Sequence, residues 1–313
     1  MKSWSVAMSC LCVLALADTT RAQSAVFSDI KARFSKSAED RHLVSRDAEL
    51  VLDDGTRRLL VKNREHPLDV GYDDIQKVVF DVSTHMRGGG RMMGLVSSAL
   101  PNIPIGLLGS NPISATRVND YWCLLEYEGP DGAVHAYMLE ISRESSVRLI
   151  EKMEALFGGR VSLAAFAETP EEFDKKTLKE LQSKHDVNVG EGGHPMPEAR
   201  RDQALVIVVC PSLTAGDTGK GPQVKLHAND RVVMVNKRGM YSFAHLDPGE
   251  YLLVSQTENA SGFRMRLEAG TAYYFFQDTF AGILKNRTGL SRHTKEVVMY
   301  ELNGADYSLW RSK

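Results

Sequence analysis

Cysteine is scarce in this chain and catalytic signatures are missing from it. Four cysteines occur in 313 residues. Cys10 and Cys12 lie in an N-terminal apolar run. Cys123 and Cys210 lie in strand-like runs, YWCLLEY and VIVVCP. No C-x-x-C follows the N-terminal run, and no H-E-x-x-H occurs anywhere, which removes the common zinc and redox motifs. Cys123 and Cys210 read as small core residues rather than as a disulfide. Nine histidines are present, but none pairs with another His or Cys at metal-ligand spacing. Neither a metal nor a cofactor is therefore expected. No G-x-S-x-G elbow marks a hydrolase serine. The glycine-rich LTAGDTGKGP places Gly221 after Lys220, where a phosphate loop needs Ser or Thr, and MRGGGRMMG lacks the spacing.

An excess of one charge is also missing. The 38 basic and 40 acidic residues leave a formal charge of -2, unlike the strongly basic domain of a nucleic-acid binder. Charge is absent altogether from the 25 residues between Arg91 and Arg117, MMGLVSSALPNIPIGLLGSNPISAT. Pro101, Pro104 and Pro112 break that stretch, so no unbroken helix of ~20 residues fits it. It reads as part core strand, from pieces such as IPIGLL or ISATRV, and part apolar projecting loop. Met92, Met93, Leu95, Val96, Leu107 and Leu108 are the candidate contacts to a membrane or a partner.

The chain opens with Lys2, an apolar run from Val6 to Ala17, and small-x-small sites ending at Ala17 and Ala22. That is the layout of a cleavable secretory signal over residues 1–22, too short to span a bilayer. Export to the periplasm or cell envelope is expected, with no transmembrane helix in the mature chain.

Beyond it, AELVLDDGTRRLLVKN reads as two strands around an Asp54-Gly55 tight turn. YDDIQKVVFDVS and the pair in DYWCLLEYEGPDGAVHAYMLEI add three more. In SRESSVRLIEKMEALFGG the period becomes helical, with Val147, Ile150, Met153 and Phe157 in the stripe. Ser142 and Gly158 are its expected caps. A linker is expected over 161–203. It contains one helix opened by Thr169, Pro170 and the capping-box residue Glu172. From Ala204 the pattern is strand after strand: ALVIVVC, PQVKLHA, RVVMVN, MYSFAHL, EYLLVSQ, FRMRLEA, TAYYFFQ and KEVVMYEL.

The five strands and following helix, from about Asp47 to Phe157, resemble a pleckstrin-homology-like (GRAM-like) domain. That resemblance assigns residues 26–160 to a β-barrel with a C-terminal helix. The strands it still lacks should come from residues 86–119 or from upstream of Asp47. The second half carries Gly239-Met240-Tyr241, Pro248-Gly249-Glu250-Tyr251 and Ala269-Gly270-Thr271-Ala272-Tyr273-Tyr274. These are similar to a family of bacterial envelope and lipoprotein domains of unknown function. The likeness implies a prealbumin-like antiparallel β-sandwich over 204–313 and an envelope location. The fold class is thus mainly β, α+β overall.

Two basic groups are candidate contacts. Arg58, Lys62 and Arg64 share one strand face, where a headgroup or phosphate could bind. Lys285, Arg287 and Arg292, with His293 and Lys295, would form a basic loop of the sandwich. The leading expectation is an exported, non-enzymatic envelope protein. Its partner is an unknown envelope protein or an anionic lipid surface, bound through the first domain and loops of the sandwich. The competing expectation is a hydrolase-type enzyme with a site between the domains, whose sign would be a His–carboxylate pair there.

Overall fold

The computed structural model describes residues 24–35, 42–87, 116–166, 170–173, 190–191, 193–212, 218–281 and 286–310. The signal segment, Met92, Met93, Leu95, Val96, Leu107, Leu108 and Lys285 lie outside them. The chain is mainly β, with 58% strand and two helices among the described residues.

The N-terminal half forms one eight-stranded sheet. Its strands are β1 (Ala25–Ser35), β2 (Leu43–Asp53), β3 (Arg58–Lys62), β4 (Leu68–Gly71), β5 (Ile75–Arg87), β6 (Thr116–Glu128), β7 (Val134–Ile141) and β8 (Val161–Ala165). The order β4-β3-β2-β1-β7-β6-β5-β8 is open and does not close into a barrel. The strands of this sheet that sequence reading left uncounted are β1, β4 and β8, the first upstream of Asp47 and the last within the residues read as linker. Of ISATRV, Thr116, Arg117 and Val118 enter β6. The β2–β3 turn is longer than a two-residue hairpin. Its left-handed residue is Arg57, at φ 53°. The Asp53 carboxylate accepts from Gly55 N and Thr56 Oγ1, which closes the turn instead.

Helix α1 (Arg143–Phe157) is capped as its sequence implies, by Ser142 accepting from Ser145 N and by Gly158 at φ 51°. Leu149, Met153 and Phe157 pack on Phe27, Leu50, Leu52, Phe80 and Leu139 of the sheet. Val147, expected in the stripe, is 63% exposed. It lies beside the buried arc rather than within it, and Ser146 takes the inward position.

The residues read as linker contribute β8, β9 (Glu171–Glu172) and β10 (Gly190–Glu191). Glu171 and Glu172 pair with Gly262 and Ser261. The first turn of the expected Thr169-capped helix is therefore strand, because edge pairing outweighs a local cap signal.

Two further sheets follow. The six-stranded one orders β10, β19 (Asp306–Leu309), β14 (Met240–Leu246), β11 (Ala204–Cys210), β17 (Ala272–Ala281) and β18 (Asn286–Arg292). The five-stranded one orders β13 (Arg231–Asn236), β12 (Val224–Ala228), β15 (Gly249–Gln256), β16 (Ala260–Leu267) and β9. Val206, Val208, Leu226, Leu253, Phe263 and Phe275 from both sheets share one core. The expected antiparallel pattern fails at two pairings: β11–β17 and β14–β19 run parallel. The chain crosses to the other sheet between these strands, so each returns in the same direction. KEVVMYEL, read as a strand, lies in helix α2 (Lys295–Asn303), with Thr294 as its N-cap. Its adjacent valines suggest β structure, but Val297, Val298, Glu301 and Leu302 fall on one helical face and are buried.

Strand β11 is buried on both sides. Its even residues enter the core between the two sheets. Its odd residues Leu205, Ile207 and Val209 join Val79, Trp122, Leu124 and Met138 of the first sheet, with Val297, Val298 and Leu302 of α2. Trp122 meets Phe276 edge-on at 5.8 Å. This apolar seam joins the two halves.

Candidate functional site

Strand alternation sends Val78 and Phe80 into the first core. It turns Val79, Asp81 and Ser83 toward the seam. Asp81 thereby reaches the start of α2. Its Oδ2 accepts from Thr294 N at 2.6 Å and from Thr294 Oγ1 at 2.9 Å. A carboxylate at a helix N-terminus also meets the favourable end of the helix dipole. His293 completes the cluster. Its Nδ1 lies 3.4 Å from Asp81 Oδ1, and its Nε2 lies 3.1 Å from Ser83 Oγ and 2.9 Å from Ser291 Oγ. The ring packs on Phe276 with centroids 4.1 Å apart.

These are the residue types of a serine–histidine–aspartate relay, with the imidazole between acid and hydroxyl. The side chains of Asp81 and His293 are 0% exposed, and Ser83 and Ser291 are buried with them. A nucleophile must meet its substrate. In this arrangement neither hydroxyl does. What the cluster does here is fasten β5 to β18 and α2.

The same helix carries a second buried contact. Arg33 of β1 donates from Nε and Nη2 to the two Glu301 oxygens at 2.7 and 2.6 Å, and from Nη1 to Ser212 O at 2.9 Å. Burial alone would lower the Arg33 pKa, but the Glu301 carboxylate outweighs it and holds the guanidinium above its ordinary value. Tyr300 Oη donates to Arg33 O at 2.8 Å, and burial pushes its phenol well up. Nearer the surface, Lys77 Nζ meets Glu296 at 2.8 Å. Desolvation would raise Glu296, but its hydrogen bond from Lys77 wins and its pKa falls below the usual value.

The basic face of β3 is placed as its alternation requires. Arg58 and Lys62 are exposed, while Leu59 and Val61 are buried. Both cations are already engaged. Arg58 Nε lies 2.5 Å from Asp69, and Lys62 Nζ lies 2.7 Å from Glu49, its cross-strand partner. Arg64 is exposed in the following turn, so the three do not converge on one empty cradle. The second basic group is not a loop: Arg287 and Arg292 belong to strand β18. The Arg292 guanidinium sits 5.0 Å from the Phe166 ring and 5.5 Å from Tyr273. A strand forms because Phe275 to Ala281 of β17 provide a continuous partner for residues 286–292.

Cys123 and Cys210 are both buried and form no disulfide with each other, and burial pushes the Cys123 thiol far up. Among the described residues no group of three His, Cys, Asp or Glu could hold a metal. No helix among them is long and apolar enough to cross a membrane.

Sequence reasoning missed Arg33, Asp81 and Glu301, and it grouped His293 only with the basic residues near the C-terminus. The available signal was a charge inside an apolar run: Asp81 in VVFDVS and Glu301 in VVMYEL. Such a charge either faces solvent or finds a buried partner, and only the fold distinguishes the two. Comparison with known proteins finds no matching family model and no matching curated relative.

Proposed function

We propose that this is an exported, non-enzymatic envelope protein that attaches to a membrane surface through the uncharged stretch of its N-terminal half. The observation that carries this reading is the β5–β6 hairpin. These strands stay paired as far as Arg87 and Thr116, which lie opposite each other. Arg87 and Thr116 thus bracket residues 88–115. Nearly all of the charge-free stretch lies in that connection. A contiguous charge-free, apolar-rich segment joining two paired strands is suited to contact with an apolar environment. The signal-like N-terminus supports export.

Seven antiparallel strands joined through β1 and β7, then α1, support kinship of the N-terminal half with pleckstrin-homology-like domains. The parallel strand β8 is an addition to that pattern. Two facing sheets support the prealbumin-like reading of the C-terminal half. The engaged state of Arg58 and Lys62 favours the apolar segment over the basic face as the contact.

Flotation with anionic liposomes tests the proposal. The mature chain should rise with the vesicles, and the same chain with residues 92–115 replaced by a Gly/Ser linker should stay below. Equal flotation of both would overturn membrane contact. Capture of one envelope protein by crosslinking, lost on the same replacement, would transfer the segment's role to a protein partner.

The hydrolase reading has His293 and Asp81 in its favour. A substrate would reach Ser83 or Ser291 only if the halves parted.

A further inference from the structure

Residues 193–200, GHPMPEAR, form no regular structure and no ladder, yet they are held against the outer face of β14 in a regular way. The carbonyls of Pro195 and Glu198, three residues apart, accept from Tyr241 Oη at 2.8 Å and from His245 Nε2 at 2.7 Å. The side chains of His194 and Pro197, again three apart, are half-buried, while Pro195, Met196 and Glu198 are exposed. A period of three is that of a polyproline II helix, whose backbone makes no internal hydrogen bonds. Local sequence favours the same conformation. Pro195 and Pro197 have their own φ fixed, and each biases the residue before it, His194 and Met196, toward extended backbone.

The surface beneath is aromatic. His194 meets Tyr241 edge-on at 5.2 Å. Tyr307 of β19 lies 5.3 Å from Tyr241 and 5.6 Å from Phe243. Phe243 and Tyr307 are only half-buried. Aromatic-lined grooves are where extended proline-rich segments dock, and here Tyr241 and His245 add side-chain donors to two carbonyls three residues apart.

We propose that the aromatic face of β14 and β19 is a docking groove for an extended, proline-containing peptide segment of a partner protein, occupied in cis by residues 193–200. The strap itself defines the ligand chemistry: a small run with prolines at alternate positions and carbonyls free to accept. It is distinct from the hairpin end and does not depend on membrane attachment.

The probe is the fluorescein-labelled peptide GHPMPEAR. Its anisotropy is followed with the mature chain and with a variant carrying Gly/Ser in place of residues 193–200. A tethered strap competes at an effective concentration in the millimolar range, so its removal should tighten peptide binding at least about tenfold. Tyr241→Phe in the strap-replaced chain deletes one donor and should weaken binding about five- to tenfold. Unchanged thermal melting shows that each variant is folded. If the full replacement does not fold, Pro195→Gly with Pro197→Gly loosens the strap and should give the same tightening. The proposal fails if the folded variants do not bind the peptide, or if GHAMAEAR binds equally well. It also fails if sedimentation shows that copies of the chain exchange straps as a dimer instead.

Discussion

Arg33 and Glu301, 268 positions apart in the chain, meet as a two-point ion pair whose side chains are 3% and 2% exposed. One lies on the first strand of the N-terminal sheet and the other on the last helix. The pair ties the ends of the described chain together. Glu301→Gln leaves the guanidinium buried without its counter-charge, and loss of one partner of such a pair costs about 3–5 kcal/mol. Urea denaturation should show that loss as a lowered midpoint. Arg33→Met combined with Glu301→Leu should recover much of it, because both charges then leave the interior.

The acid cap of α2 should matter for how the halves hold together. Asp81→Ala removes the acceptor of two Thr294 hydrogen bonds. Hydrogen bonds to charged groups contribute about 1.5–3 kcal/mol. Limited proteolysis should become faster in the Asp81→Ala chain, with new cuts near Thr294. Cleavage no faster than in the parent would show that the cap does not fasten the seam.

Glu296 supplies a pH dependence of defined sign. Its folded pKa lies below the ordinary 4.5 because of Lys77. Its stabilising contribution is therefore full above pH 4.5 and is lost as the pH falls through the lower folded value. Solvent screening keeps the contribution under about 1 kcal/mol. Lys77→Met should lower stability at pH 7, and that loss should shrink as the pH falls through the folded pKa of Glu296. A loss that does not change with pH would assign the effect to packing.

Gly262 sits where β16 passes β15. A Cβ built there would lie 1.9 Å from Leu253 O. The obstructing atom is backbone, so no side-chain rotation can relieve the clash. Gly262→Ala must push the strands apart, at a cost of about 1–3 kcal/mol as for other overpacked sites. Thermal unfolding should report it as a drop in Tm.

The two buried thiols offer a simple check of the seam and the cores. The native mature chain should react slowly with a thiol reagent. Both Cys123 and Cys210 should react once guanidinium unfolds it, since burial and not a disulfide shields them. Two thiols that stay blocked after unfolding without reductant would mean that the cysteines pair.

Local chemistry made much of this protein legible beforehand. Alternation placed Leu59 and Val61 inside and Arg58 and Lys62 outside. Ser142 and Gly158 marked the ends of α1. These features depend on neighbours within a few residues, so the chain carries them openly. The fate of KEVVMYEL did not yield in the same way. Its two valines favour strand locally, and the helix forms because Thr294 caps it and its face closes the seam. The basic residues near the C-terminus read as a loop until β17 supplied a pairing edge. Asp81, His293, Arg33 and Glu301 look like ordinary charges and polar residues in sequence. Whether a charge is solvated or buried depends on which surface folds over it, and here that surface comes from the other half of the chain. Composition and period thus determined most of the strands and α1 of this protein. Only the tertiary structure decided where its charges went.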